Sequence, residues 1–286
     1  MKAAAIAGVA GALALIFAAA ALVGSAFGPD RSARAETPHA EKEMTMDKGH
    51  AGETAADPVR GLAVADRGLA LQLAETELDR GRPSTLRFRI ADGDGRPVRA
   101  FSVEHEKRMH LIVVRRDGQG FQHLHPTMDA TGTWSVPLTL KEAGAYRVFA
   151  DFKHDERAQT LAADLVVDGA ADYDPLPAPA TTATTDGYEV SLDEQSVRAG
   201  REAELRFTVR RGGKVVRTEP YLGAGGHLVA LREGDLAYLH VHPGDEAADS
   251  VPFMTEFTTA GRYRLYLQFK HDGRVHTAEF TQEVSR

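Results

Sequence analysis

The chain says nearly the same thing twice. Residues 110–126, HLIVVRRDGQGFQHLHP, moved forward by 117 positions (110 onto 227), fall on HLVALREGDLAYLHVHP, and AGAYRVFADFKHD falls on AGRYRLYLQFKHD without a gap. A unit of about a hundred residues that recurs in this way is long enough to bury its own core, so the duplication predicts two like domains in tandem. It pairs His110 with His227, His123 with His240, His125 with His242, and His154 with His271. Most surface positions around these residues differ between the copies, while all four histidines persist.

Each copy carries short apolar runs, LRFRI, HLIVV, WSVPLTL and YRVFADF in the first, broken by Gly, Asp and Pro about every ten residues. The helical period is almost absent. The expected fold is all-β: two tandem immunoglobulin-like or cupredoxin-like β-sandwich domains of about seven strands each. EAGAYRV and TAGRYRL resemble the corner at which a Tyr hydroxyl of an immunoglobulin-like domain bonds back to the backbone, a role that falls to Tyr146 and Tyr263.

The flanking segments differ in kind. Ala3 to Gly28 contains no charge and, at 1.5 Å per residue, exceeds the thickness of a bilayer's hydrocarbon core. It reads as a retained membrane anchor at the cell membrane with the domains outside the cytoplasm. The alternative is a signal peptide cleaved near Ala33–Ala35, leaving a secreted or periplasmic protein. The expected layout is residues 1–28 as anchor or signal, 29–61 as a flexible stalk, 62–168 as the first sandwich, 169–187 as a Pro/Ala/Thr-rich linker and 188–286 as the second sandwich. A net charge of −7 without a Lys/Arg block argues against a nucleic-acid partner. The absence of cysteine excludes disulfides, thiolate metal sites and cysteine nucleophiles.

Alternation of side chains along a strand gives the histidines their geometry. His123 and His125 are two apart and share a face, as do His240 and His242. A hairpin centred on Asp117-Gly118 sets His110 opposite His125, and one centred on Gly234-Asp235 with a type II′ turn sets His227 opposite His242. Three imidazoles then converge at the open end of each hairpin. His154 and His271 end the core-facing rows Tyr146-Val148-Ala150-Phe152 and Tyr263-Leu265-Leu267-Phe269, and are expected to be the fourth members. The expectation is therefore two metal centres, His110/His123/His125/His154 and His227/His240/His242/His271. The other outcome is a buried histidine network that merely closes each sandwich. His105 and His276 lack a histidine counterpart and read as surface residues. Asp155 and Asp272 stand beside the fourth histidines, either to orient their rings or to serve turns.

Imidazole ligands suit Cu(II), Zn(II) or Ni(II), and without cysteine a blue-copper centre is excluded. Met44 and Met46, between His39 and His50 in the stalk, tip the choice toward copper, with zinc the alternative. Met109 and Met128 flank the first site only.

The pairing of GHLVALREGDLAYLHVHP with a later FKHDG resembles exported or membrane-anchored bacterial β-sandwich domains of the YtkA-like and FixH-like kind, some associated with copper handling. PYLGAGGH before His227 fits that likeness better than SVEHEKRMH before His110. The resemblance implies an extracytoplasmic setting, a role in copper supply or resistance, and a metal-delivery partner. Two other classes compete: a surface interaction module with structural histidines, and a zinc hydrolase using three His and a water. The hydrolase lacks a Glu or Asp spaced as a general base, and serine triads, phosphate-binding Gly loops and dinucleotide fingerprints are absent.

Overall fold

A computed structural model describes residues 59–193, 197–239, 241–244 and 249–286. The expected membrane segment, most of the stalk and His240 lie outside the described residues. Among the described residues no helix is long and apolar enough to cross a membrane.

Every regular element described is a strand. The first copy holds β1 (Ala65–Asp66), β2 (Leu69–Leu73), β3 (Glu77–Leu78), β4 (Ser84–Ala91), β5 (His110–Arg115), β6 (Gln122–Leu124), β7 (Thr127–Met128), β8 (Trp134–Leu138), β9 (Gly144–His154) and β10 (Arg157–Val167). The second holds β11 (Thr182–Thr185), β12 (Tyr188–Leu192), β13 (Glu202–Arg211), β14 (Lys214–Val215), β15 (His227–Arg232), β16 (Tyr238–Leu239), β17 (Val241–Pro243), β18 (Val251–Glu256), β19 (Gly261–His271) and β20 (Arg274–Val284). Sheets β1-β2-β4-β8-β7 and β3-β10-β9-β5-β6 make one sandwich; β11-β12-β13-β18-β17 and β16-β15-β19-β20 make the other. Thr182–Thr185, read from sequence as linker, pairs with β12 as an edge strand.

Period-two alternation fills each sandwich from both sheets. Leu111 and Val113 of β5 and Tyr146, Val148, Ala150 and Phe152 of β9 meet Leu86, Phe88, Ile90 and Trp134 from the facing sheet. Leu228 and Ala230 of β15 and Tyr263, Leu265, Leu267 and Phe269 of β19 meet Phe207 and Phe253. The two expected tyrosine corners form: the Tyr146 hydroxyl donates to Glu142 O at 2.8 Å and the Tyr263 hydroxyl to Thr259 O at 2.9 Å.

The opposite parity builds a third core. Ile112, Val114 and Phe149 of the first copy pack with Val229, Leu231, Tyr238 and Tyr266 of the second. Phe121 stacks on Tyr266 with centroids 4.0 Å apart, and the Tyr266 hydroxyl donates to Gly118 O at 2.6 Å. The continuous burial of β5, all six residues, follows from this: the strand is covered on both faces, which demands an unbroken apolar run rather than alternation. Gly61 seals one edge of the same core at φ 70°. A Cβ there would lie 2.8 Å from both Phe149 and Tyr238, so only glycine fits.

Candidate metal centre

The first hairpin has the expected register. Leu111 pairs with Leu124 and Ile112 with His123, which continues to His110 opposite His125. Its turn runs from Arg115 to Gly118, closed by Gly118 N–H donating to Arg115 O at 2.8 Å with Gly118 at φ 79°. A bidentate Arg115–Asp117 pair braces it from the side.

The second hairpin departs from expectation. Ala230↔Leu239 and Leu231↔Tyr238 keep the expected centre, but four residues form the loop, and Leu236 N–H donates back to Arg232 O instead of closing a two-residue type II′ turn. Beyond Leu239 the chain changes sheets: β17 pairs with β18, setting His242 against Met254. His242 is exposed there, and β17 is not paired with β15.

His110 shares the parity of Ile112 and Val114, and His227 that of Val229 and Leu231, so both point into the space between the copies. His123 sits on the same face through its pairing with Ile112. The nitrogens of His110, His123 and His125 lie within 4.8 Å of one another. His227 packs against them from the second copy, its ring stacked 5.6 Å from His110 and 4.7 Å from His123, although its nitrogens are not part of the trio that lies within 4.8 Å. His105, read from sequence as a surface residue, is at the rim, 6.1 Å from His110 and 5.9 Å from His227.

His154 and His271 are not brought into this cluster, and the reason is the same periodicity. In the sheet His110 opposes Asp151, which sets His110 on the face of odd-numbered β9 residues, whereas His154 belongs to the even, core-facing row. His154 Nδ1–H donates to Ala100 O at 2.7 Å, with Nε2 3.4 Å from Asp155. His271 Nδ1 meets the Tyr188 hydroxyl at 2.9 Å and lies 3.5 Å from Asp272. His276 is not a surface residue either: it is 6 % exposed and bonded to Asp186 at 2.8 Å. Met109 is a core residue of the first sandwich.

Hydrogen bonding fixes two rings of the cluster. His110 Nε2–H donates to Glu104 O at 3.1 Å, because a carbonyl accepts only. His123 Nδ1–H donates to Gln268 Oε1 at 2.6 Å, and Gln268 Nε2 in turn donates to Thr277 Oγ1 at 3.4 Å. In the neutral rings the remaining nitrogens, His110 Nδ1 and His123 Nε2, then face each other with lone pairs 3.0 Å apart. Two lone pairs at that distance repel unless a cation sits between or beside them. Protonation is disfavoured: burial, then the neighbouring rings, pushes His123 down to about 3, and burial with the charges of His105 and Lys107 holds His110 at about 4. Burial likewise lowers His125 to about 4 and takes His227 well below its ordinary value. The Nε2 atoms of His125 and His227 are buried without a hydrogen-bond partner. Beneath the cluster, Asp151 accepts from Thr160 Oγ1 at 2.7 Å, and burial raises its carboxyl to about 6.

Neutral imidazoles with lone pairs turned inward, set by carbonyl and amide acceptors on their far nitrogens, are the arrangement by which proteins orient histidines toward a transition metal. Gln268 and Glu104 were not singled out from the sequence. Gln268 does carry a signal, since it is the residue opposite His227 and replaces Asp151 of the first copy.

The molecule is thus a tandem β-sandwich protein with a histidine cluster where its two repeats meet. It belongs to the family described as Domain of unknown function (DUF8832), whose model matches residues 63–169 and again residues 183–286. No curated protein matches the chain. Among solved structures it is similar to the Escherichia coli adhesin FdeC (16 % identity, TM-score 0.28, covering 78 % of this chain and 66 % of that one). It is also similar to Yersinia pseudotuberculosis InvD (13 %, 0.26, 76 % and 57 %). A third likeness is to a chimeric titin Z1Z2 tandem (16 %, 0.19, 75 % and 95 %). The chain spans less than two thirds of the FdeC and InvD structures.

Proposed function

We propose that this is a metal-binding protein that buffers or delivers a first-row transition ion outside the cytoplasm, copper by preference and zinc as the alternative. What carries the reading is the pair His110 Nδ1 and His123 Nε2, 3.0 Å apart with lone pairs facing, and His125 beside them. With metal–nitrogen bonds near 2 Å, such a pair subtends an angle of roughly 90° at an ion, within reach of copper or zinc geometry. Copper is preferred for the resemblance to copper-associated exported domains and for the Met44/Met46 pair in the stalk. The apolar opening segment supports a membrane-anchored or exported setting, with a metal-delivery protein as partner.

The test is a titration of the metal-free full chain with Cu(II) and Zn(II), followed by dialysis and metal analysis. Retention of the ion at neutral pH, abolished by His123→Ala, is the expected result. A chain that retains neither ion removes the reading.

A further inference from the structure

We propose that the centre belongs to both repeats: His227 is its fourth ligand and Gln268 its positioning residue, so that one ion per chain ties the two sandwiches together. This rests on the metal-binding reading above and adds the stoichiometry and the ligand set.

Four observations support it. The ring of His227 lies against His110 and His123 at 5.6 and 4.7 Å, and the three first-copy rings are separated by 4.7 to 5.2 Å. Four imidazoles around one ion, each bound at about 2 Å, hold their ring centres roughly 5 Å apart, the same scale. His227 Nε2 is buried with no hydrogen-bond partner, a state that costs about 1–3 kcal/mol unless something engages that nitrogen. Gln268, from the same second-copy sheet, determines which nitrogen of His123 is left to bind. Finally, among the described residues the second copy gathers no trio of its own, since His242 has crossed to the other sheet with β17.

The apolar core between the copies places these groups without help from an ion. Ile112, Val114, Phe149, Val229, Leu231 and Tyr266 fix the two sheets face to face, so the ion enters a site already shaped by both. Its binding free energy is then drawn from both copies and opposes their separation.

The experiment uses the metal-free full chain with Zn(II) for affinity and Cu(II) for spectroscopy, comparing the wild type with His227→Ala, Gln268→Leu and His242→Ala. The expected results are one equivalent per chain and an electron paramagnetic resonance signal with four imidazole nitrogens. His227→Ala should weaken Zn(II) at least tenfold and leave three nitrogens. Gln268→Leu should weaken Zn(II) by about 10- to 100-fold while keeping four nitrogens, as loss of an orienting partner does. His242→Ala should change neither. Two equivalents per chain, or three nitrogens in the wild type, would overturn the shared centre while leaving the protein a metal binder, and so would an unaltered affinity in His227→Ala. A wild type that binds no metal removes both readings. The nitrogen count on the wild type needs no variant to fold, and metal-free melting of each variant separates lost ligation from lost stability.

Discussion

The two copies keep the same strands and use them differently. In the first, β6 stays paired with β5 through Leu124, so His123 and His125 remain beside His110. In the second, the strand leaves β15 after Leu239 and β17 joins the opposite sheet, carrying His242 away. The cores differ as well. Phe101, Met109 and Trp134 fill the first sandwich near the site, with Phe101 edge-on to Trp134 at 5.2 Å. Their counterparts are Thr218, Gly226 and Val251, which line a cavity of about 280 Å³. Gly226 cannot be enlarged, because a Cβ there would lie 2.8 Å from Gln268 O. Equal spacing inherited from a duplication therefore preserves the backbone path, as the matching bridges Ser102↔Lys153 and Glu219↔Lys270 attest, without preserving what the side chains do.

The sharpest way to break this asymmetry is to delete the same histidine from each copy. His125→Ala should lower metal affinity by more than about 100-fold, beyond the loss typical of an orienting partner, while His242→Ala, at the equivalent position, leaves it within error. Isothermal titration of both variants measures the difference, and equal losses would restore two equivalent sites.

Next in size is the core contrast. Trp134→Val should destabilise the first sandwich by about 3 kcal/mol through the void it leaves. Val251→Ala, beside an existing cavity, should cost about 1 kcal/mol. Denaturant unfolding of the metal-free protein compares them, and similar costs would show that the second cavity is already closed in solution.

Acid tests the cluster itself. His110, His123 and His125 titrate near 4, 3 and 4 in the fold against an unfolded value of 6.5. For these depressed bases the unfolded chain takes up protons first, so stability rises with pH. The contribution is complete above pH 6.5 and is lost as pH falls toward 4. The slope reaches about 1.4 kcal/mol per pH unit for each histidine. Melting of the metal-free chain between pH 7 and 5 should show this loss, reduced in His123→Ala. A flat profile would mean that the rings are hydrated.

The smallest effect concerns the feature the copies share. Tyr146→Phe and Tyr263→Phe each remove one corner hydrogen bond and should each cost about 1 kcal/mol. Tyr263 also contacts Thr259 Oγ1 at 2.9 Å, so its loss should be the larger by a few tenths. Urea midpoints of the two variants provide the check.

Local regularities in the chain carried the strand content, the repeat, the tyrosine corners and the first hairpin's register, because each depends on periodicity or on a turn within a few residues. The parity that separates His154 from His110 became readable only with the register of β5 on β9, and the sequence expectation placed the two together. In an antiparallel sheet, directly opposed residues share a face, so once β5 lies on β9 with His110 against Asp151, an even-numbered β9 residue cannot join it. The unbroken apolar run HLIVV, read from sequence only as one strand of a sandwich, has the composition of a strand covered on both sides. What covered the second side was undetermined by sequence, since the same run serves a sheet packed on any apolar neighbour.

The amino-acid order alone thus determined how many sandwiches form, which residues line each core and that imidazoles gather at a hairpin's open end. Only the tertiary structure decided that His227 and Gln268 reach the first copy's histidines and that His242 does not. That outcome depends on the docking of two sheets across a hydrophobic interface and on a strand switching partners, contacts between residues more than a hundred positions apart that no local pattern encodes.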